Sequence, residues 1–305
     1  MRRIFTLIIM LAAFSTAFAA QTSGFAFLRI PAGARAVAMS GAFTAVTGDP
    51  MSLHYNPAAL STNAENSLTT TYTSYLMDMH AGFVGWANPR ENDAIGVSIN
   101  YFYGGTFLRT TMENPTGTGD EFTSHSISAG GTWSRPISDK LRFGVTGKLI
   151  YSEIDTYNAH AVAFDLGALL QPGAEGFAIG ASIRNAGVQT KAFYQENDPM
   201  PTELALGLSR TLMNGSLLLA ADATAPLSGK FNAAIGVEYS PMPMFAMRTG
   251  ASLNAWETAD EAGGTILDAF SFGMGFNRGT MGADYAWKPA ADLGDAHRLS
   301  LQYRF

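Results

Sequence analysis

The chain of 305 residues contains no cysteine. That excludes disulfide frameworks, thiolate nucleophiles and cysteine-based metal sites together. Charge is scarce: Asp, Glu, Lys and Arg make up 14%, against about 25% in an ordinary soluble domain. What charge there is sums to −6 with no basic cluster, so nucleic acid is not an expected partner. Past the first twenty residues no apolar run reaches the ~20 residues a membrane-spanning helix requires. Catalytic patterns are missing too. His54, His80, His125, His160 and His297 contain no HExxH pair, and no Gly-x-Ser-x-Gly elbow occurs. Ala129-Gly130-Gly131 lacks the lysine and helix context of a phosphate loop and is expected to relieve strand curvature. The expectation is a non-enzyme with no cofactor and no metal.

The two termini carry the first positive signals. Arg2 and Arg3, an apolar stretch from Ile4 to Phe14, and Ala17-Phe18-Ala19 read as a secretory signal over residues 1–19. Cleavage is expected after Ala19, or alternatively after Ala20. At the other end, Leu299, Leu301, Tyr303 and Phe305 alternate with Arg298, Ser300, Gln302 and Arg304. A period of two puts the apolar residues on one face of an extended strand. A closing strand ending on Phe305, with Tyr303 two positions earlier, resembles the terminal signal of bacterial outer-membrane barrels. That resemblance implies recognition by barrel-assembly machinery.

Between the termini, fourteen strand-like segments can be placed, roughly at 65–76, 80–88, 93–104, 122–134, 140–152, 158–170, 176–186, 202–211, 215–225, 230–240, 243–255, 268–277, 280–287 and 297–305. Ile95, Val97, Ile99 and Tyr101 share one face. So do Phe231, Ala233, Ile235, Val237 and Tyr239. Every second connection is short and turn-like, such as Asn88 to Asn92 and Arg135 to Asp139. The long ones, about 105–121, 187–201, 256–267 and 288–296, all fall in the other set. Short turns at the periplasmic end and longer loops outside are the habit of transmembrane barrels. The fold class expected is all-β: a transmembrane antiparallel barrel of about fourteen strands over 63–305. A soluble sandwich is the competing architecture. Asp165 and Glu238 are expected to face the lumen. Trp86, Trp133, Tyr151, Trp256, Tyr285, Trp287 and Tyr303 are expected in the interfacial aromatic girdle.

Residues 20–62 do not alternate and are expected to form a hatch or plug. Asp49-Pro50 and Asn56-Pro57 each set a capping residue before a proline at the first helical position, so one or two short helical turns are expected. His54 either orients this segment or is a hydrogen-bonded structural histidine. The ordered set Gly33, Arg35, Met39 and Gly41, then Asp49-Pro50, then Asn56-Pro57-Ala58, resembles the start of mature PorV/PorQ family proteins. That family is similar to the wider FadL-like group of fourteen-stranded outer-membrane barrels, whose hatch also carries Asn-Pro-Ala. Ser40 departs from the glycine expected in many relatives.

The resemblance implies a component or accessory of type IX protein secretion. Its partners would be outer-membrane lipid and either secretion partners or the C-terminal domains of cargo, met at the outer loops. The FadL-like alternative implies a hatch-gated channel for hydrophobic small molecules, and a third reading is a membrane anchor. The hatch motif is common to the first two and does not choose between them.

Overall fold

The computed structural model describes residues 23–75, 78–173, 176–253, 265–289 and 294–305. The signal-peptide reading and Trp256 lie outside the described residues. Fourteen antiparallel strands close into a barrel. They are β1 Ser67–Ser74, β2 His80–Pro89, β3 Ala94–Leu108, β4 Glu121–Pro136, β5 Leu141–Ile154, β6 Tyr157–Leu170 and β7 Phe177–Lys191. The second half comprises β8 Glu203–Leu212, β9 Leu217–Pro226, β10 Asn232–Met242, β11 Phe245–Ser252, β12 Phe270–Arg278, β13 Met281–Lys288 and β14 Ala296–Arg304. Each strand pairs with its neighbours in sequence. The terminal strand shuts the cylinder through Leu68 opposite Tyr303 and Ser74 opposite His297. Tyr303 and Phe305 stack at 5.7 Å.

Closure follows from the residues. A strand edge left open in hydrocarbon would strand its N–H and C=O groups, and a closed cylinder pairs all of them. Alternation then sorts the side chains. On β1 the even positions Leu68, Thr70 and Tyr72 point out, and Thr69, Thr71 and Thr73 point in and are buried. Leu149, Phe164 and Ile235 stand on the outer surface, Leu149 with 68% of its area exposed. An apolar exterior over a polar, filled interior is the inverse of a soluble domain and suits lipid.

Two ends can be told apart. The start of β1, the end of β14 and the short turns between β2 and β3, β4 and β5, β8 and β9, and β12 and β13 lie at one, here the turn end; the longer connections lie at the loop end. Observed strand bounds match the sequence reading to within a few residues except in β3 and β7. Both run further toward the loop end than expected, leaving connections of 109–120 and 192–202. Each carries a break in register, between Tyr103 and Gly105 on β3 and opposite Phe164–Leu166 on β7, where Asn185 adopts φ 56°. A bulge shifts side-chain parity by one, so alternation stops although the ladder continues. The wall over β3–β7 therefore stands taller than the rest.

Replacing Leu149 by Arg, near mid-height on the outer face, should cost about 2–4 kcal/mol, whereas Tyr157→Arg at the loop end should cost about 0–1 kcal/mol. Equilibrium urea unfolding of the barrel in lipid vesicles reads both.

Candidate functional site

Residues 23–62 lie inside the barrel. The path starts near the loop end, where Gly24 N donates to Pro199 O (3.1 Å). Arg29, at the end of a 3-10 turn at Ala26–Arg29, ties it to the loop-end connections β7–β8 and β9–β10 by donating to Pro201 O and Ser228 O. The chain then drops and circles the wall through helix α1 (Ala34–Ala38), helix α2 (Ser52–Tyr55) and a 3-10 turn, Pro57–Thr62, before entering β1.

The wall makes room for this circuit by giving up side chains. A Cβ on Gly144 or Gly167 would collide with Asn56-Pro57-Ala58, on Gly180 or Gly207 with Thr44 and Ala45, on Gly236 or Gly250 with Met39, and on Gly273 with Ala38. Serines and one aspartate at the same level then bond the circling backbone. Ser134 Oγ donates to Ala58 O (2.9 Å), Ser182 Oγ to Tyr55 O (3.1 Å) and Ser209 Oγ to Ala45 O (2.7 Å). Asp222 Oδ2 accepts from the amides of Phe43 and Thr44, and Ser300 Oγ accepts from Ala34 N. Irregular backbone at membrane depth is tolerable only where protein groups satisfy it in this way.

The motif residues occupy the joints of this floor. Gly33 (φ 80°) precedes α1, where a Cβ would strike Met51, and Gly41 takes φ 81° in the turn after α1. Ser40 also adopts a positive φ, 53°, the conformation that glycine would take without strain. Met39 is fully buried against β10 and β11. Asp49 Oδ1 accepts from Met51 N, closing the turn around Pro50 ahead of α2. Asn56 is the most connected. Its Oδ1 accepts from Ala58 N, capping the turn that Pro57 opens, while its Nδ2 donates to Thr44 O and Ala168 O. One buried amide thus joins two stretches of floor to β6.

Arg35 locks the floor electrostatically. Its guanidinium pairs with Asp49 (2.8 Å) and with Glu238 on β10 (2.7 Å). Glu238 also receives Arg248, which reaches Asp284. Burial works against the Arg35 charge, but the facing carboxylates of Glu238 and Asp49 outweigh it and hold its pKa above the ordinary arginine value. Asp165 likewise faces inward, paired with Lys148 at 2.7 Å. His54 is half-buried edge-on to Tyr55 and Phe83. Burial, reinforced by the charges of Lys148 and Arg184, pulls its pKa well below the usual histidine value.

Above the floor, toward the loop end, Phe25, Leu28, Ile150, Ala159, Ala161, Ala163 and Met200 form an apolar cluster. A cavity of about 20 Å³, room for about one water, lies beside it. Phe27, Ile30, Phe83 and Phe102 line it from the lumen together with Thr71, Thr73 and Asn100, and Gly82 and Tyr101, from the outward-facing rows of β2 and β3, line it through the wall. Trp86, Trp133 and Tyr303 sit toward the turn end and Tyr151, Tyr285 and Trp287 toward the loop end. Alternation did not reveal that four histidines meet tyrosines on the outer surface. The Nδ1 atoms of His80, His125 and His297 lie 2.7–3.0 Å from the hydroxyls of Tyr72, Tyr101 and Tyr285, and Tyr151 meets His160 edge-on.

Comparison with known proteins agrees with this architecture. Residues 9–133 match the model of an uncharacterised protein family (UPF0164). No curated protein matches the chain. Among solved structures, the toluene transporter TbuX of Ralstonia pickettii is similar at TM-score 0.63 and 14% identity, covering 90% of this chain and 98% of that one. The toluene transporter TodX of Pseudomonas putida reaches TM-score 0.62 at 15% identity, with 93% and 98% covered. A FadL homologue of Pseudomonas aeruginosa reaches TM-score 0.60 at 13% identity, with 90% and 99% covered. The chain is a fourteen-stranded β-barrel with the FadL fold.

Two outcomes follow. Asn56→Ala removes three hydrogen bonds at about 1 kcal/mol each, so it should destabilise the floor by about 3 kcal/mol; limited proteolysis should then cut within 23–62 while the barrel survives. For His54, the unfolded chain takes up a proton below about pH 6.5 and the folded one resists it. Stability should therefore fall as pH drops below that value, and His54→Gln should flatten this part of the profile in urea titrations from pH 7.5 to 5.

Proposed function

We propose that this protein is a non-enzymatic outer-membrane channel for hydrophobic small molecules, with the turn end facing the periplasm. The observation that carries the reading is the cavity shared between the lumen and the outward-facing wall. An apolar compound entering at the loop end meets the cluster around Phe25 and Leu28, not an aqueous pore. The floor at 23–62 closes the direct way through, being bonded to β4, β6, β7, β8, β9 and β14. Gly82 offers the way out. It lies between Tyr72 and Tyr101 of the flanking strands and sets no side chain against the lipid. Likeness in fold to two toluene transporters and a FadL homologue supports the same reading.

In this account Phe27, Ile30 and Phe83 select for apolar compounds by excluding water, and motion of these side chains opens the path at Gly82. Uptake of a labelled alkylbenzene by vesicles carrying the protein should exceed uptake by vesicles carrying only the assembly machinery. Gly82→Trp, which fills the gap from the lipid side, should lower the uptake several-fold without loosening the floor. Uptake equal to that of the control vesicles would rule the channel out.

A second reading, an accessory of type IX secretion, is favoured by the resemblance of the Gly33–Ala58 motif to PorV/PorQ proteins and by the tall wall over β3–β7, which offers a rim to a partner protein. Affinity purification from native outer membranes separates the two. Recovery of cargo sharing a C-terminal domain, or of a large translocon barrel, supports secretion; a lone barrel does not.

A further inference from the structure

Toward the loop end the outward rows of β5, β6 and β7 change character. On β5, Val145 and Leu149 give way to Tyr151 and Glu153; on β6, Phe164 and Val162 give way to His160 and Asn158; on β7, Val188 gives way to Thr190 and Lys191. A change from apolar to polar on the outer face marks the edge of the hydrocarbon layer. On the hydrocarbon side of this edge the wall is hollowed into a groove of about 390 Å³. Ile127, Ala129, Leu149 and Val162 line it, and Tyr151 and His160 bound it toward the loop end. Its volume falls within the ~300–1,000 Å³ of ligand pockets. A second outward hollow of about 330 Å³, between Phe143, Leu166, Ile183 and Leu206, has no histidine, tyrosine or charged residue in its lining.

An acyl chain gains little by leaving bulk lipid for an equally apolar groove, so apolar walls alone select no occupant. Selection rests on the polar end. Lys191 is the cross-strand partner of His160, and its ammonium donates to Asn158 Oδ1 on the same outward row of β6. Two of its three N–H donors remain, and among the described residues Lys191 makes no ion pair. His160 lies edge-on to Tyr151 with ring centroids 5.2 Å apart, and no hydrogen bond among the described residues engages its ring nitrogens. Glu153 is the acid at this edge. Its carboxylate accepts from Tyr151 Oη (2.5 Å), and β6 separates it from Lys191. A cation and a histidine at the mouth of an apolar groove match a phosphate carried on an acyl chain. We propose that this groove holds one membrane phospholipid, with an acyl chain between Ala129, Leu149 and Val162 and its phosphate at Lys191 and His160. The site belongs to the lipid-facing wall and stands whether or not the barrel carries hydrophobic compounds.

The test is native mass spectrometry of the purified full barrel in mild detergent, titrated with palmitoyl-oleoyl phosphatidylglycerol and, separately, with the diacylglycerol of the same chains. One phosphatidylglycerol per barrel should be retained saturably. The diacylglycerol, which has the chains without the phosphate, should bind about tenfold or more weakly, as loss of charge-assisted hydrogen bonds requires. Lys191→Gln should weaken phosphatidylglycerol binding to a similar degree, and Ala129→Trp, which fills the groove, should abolish it. Both side chains are outward and exposed, so both variants should fold, which the heat-modifiable gel mobility of the barrel checks. His160→Gln, also at an exposed position, repeats the headgroup test should Lys191→Gln fail to fold. Absence of saturable phosphatidylglycerol binding, equal retention of the two lipids, or binding that Lys191→Gln or Ala129→Trp leaves unchanged overturns the proposal. The groove lies on β4–β7 and the exit at Gly82 between β1 and β3, so failure here is distinct from failure of alkylbenzene uptake.

Discussion

A cylinder of fourteen strands has an interior of fixed width, and about forty further residues must fit within it. Both claims on the space are met because the wall loses its side chains wherever the hatch backbone passes. Gly144, Gly167, Gly180, Gly207, Gly236, Gly250 and Gly273 make the close approach sterically possible. Ser134, Ser182, Ser209, Asp222 and Ser300 turn that approach into hydrogen bonds. The pattern costs strand propensity at each glycine, a cost offset by the satisfied backbone of a segment that has no regular ladder of its own.

From that fit follow the electrostatics and the division of the lumen. The segment brings Arg35 to the turn-end mouth, where Glu238 and Arg248 extend its ion pairs to Asp284. It brings Phe25 and Leu28 to the loop side, where they pack on the alanines of β6. The Arg35 ion-pair network thus lies on the turn side of the floor and the Phe25–Leu28 cluster on its loop side. The two sides impose different conditions on whatever reaches them, and the proposed route through the wall at Gly82 would avoid the Arg35 network altogether.

Much of the barrel was legible in the sequence because lipid outside and protein inside enforce a period of two. Long loops falling on one side and short turns on the other then fixed the strand count. What alternation could not show was the continuation of β3 and β7, since bulges at Gly105 and Asn185 invert the parity that signals a strand. Asn56 could be read as a cap, because capping is local; Asp49, read the same way, instead closes the turn around Pro50 ahead of Met51, which caps α2 without a side-chain bond. Their remote partners could not: Glu238 lies 203 residues from Arg35, and Ala168 lies 112 from Asn56. Arg298 falls on the polar face of its strand from sequence alone, but its seat over the Tyr75 ring emerges only once the neighbouring strands are in place.

The central claim is that the hatch is a fixed floor bonded to the wall. Amide hydrogen exchange on the folded barrel tests it most directly, followed at Ala34, Phe43 and Thr44, whose N–H groups are held by Ser300 and Asp222. The account predicts protection at these three amides comparable to that of the central residues of β9 and β14. Exchange within seconds, as for an unstructured segment, would contradict it.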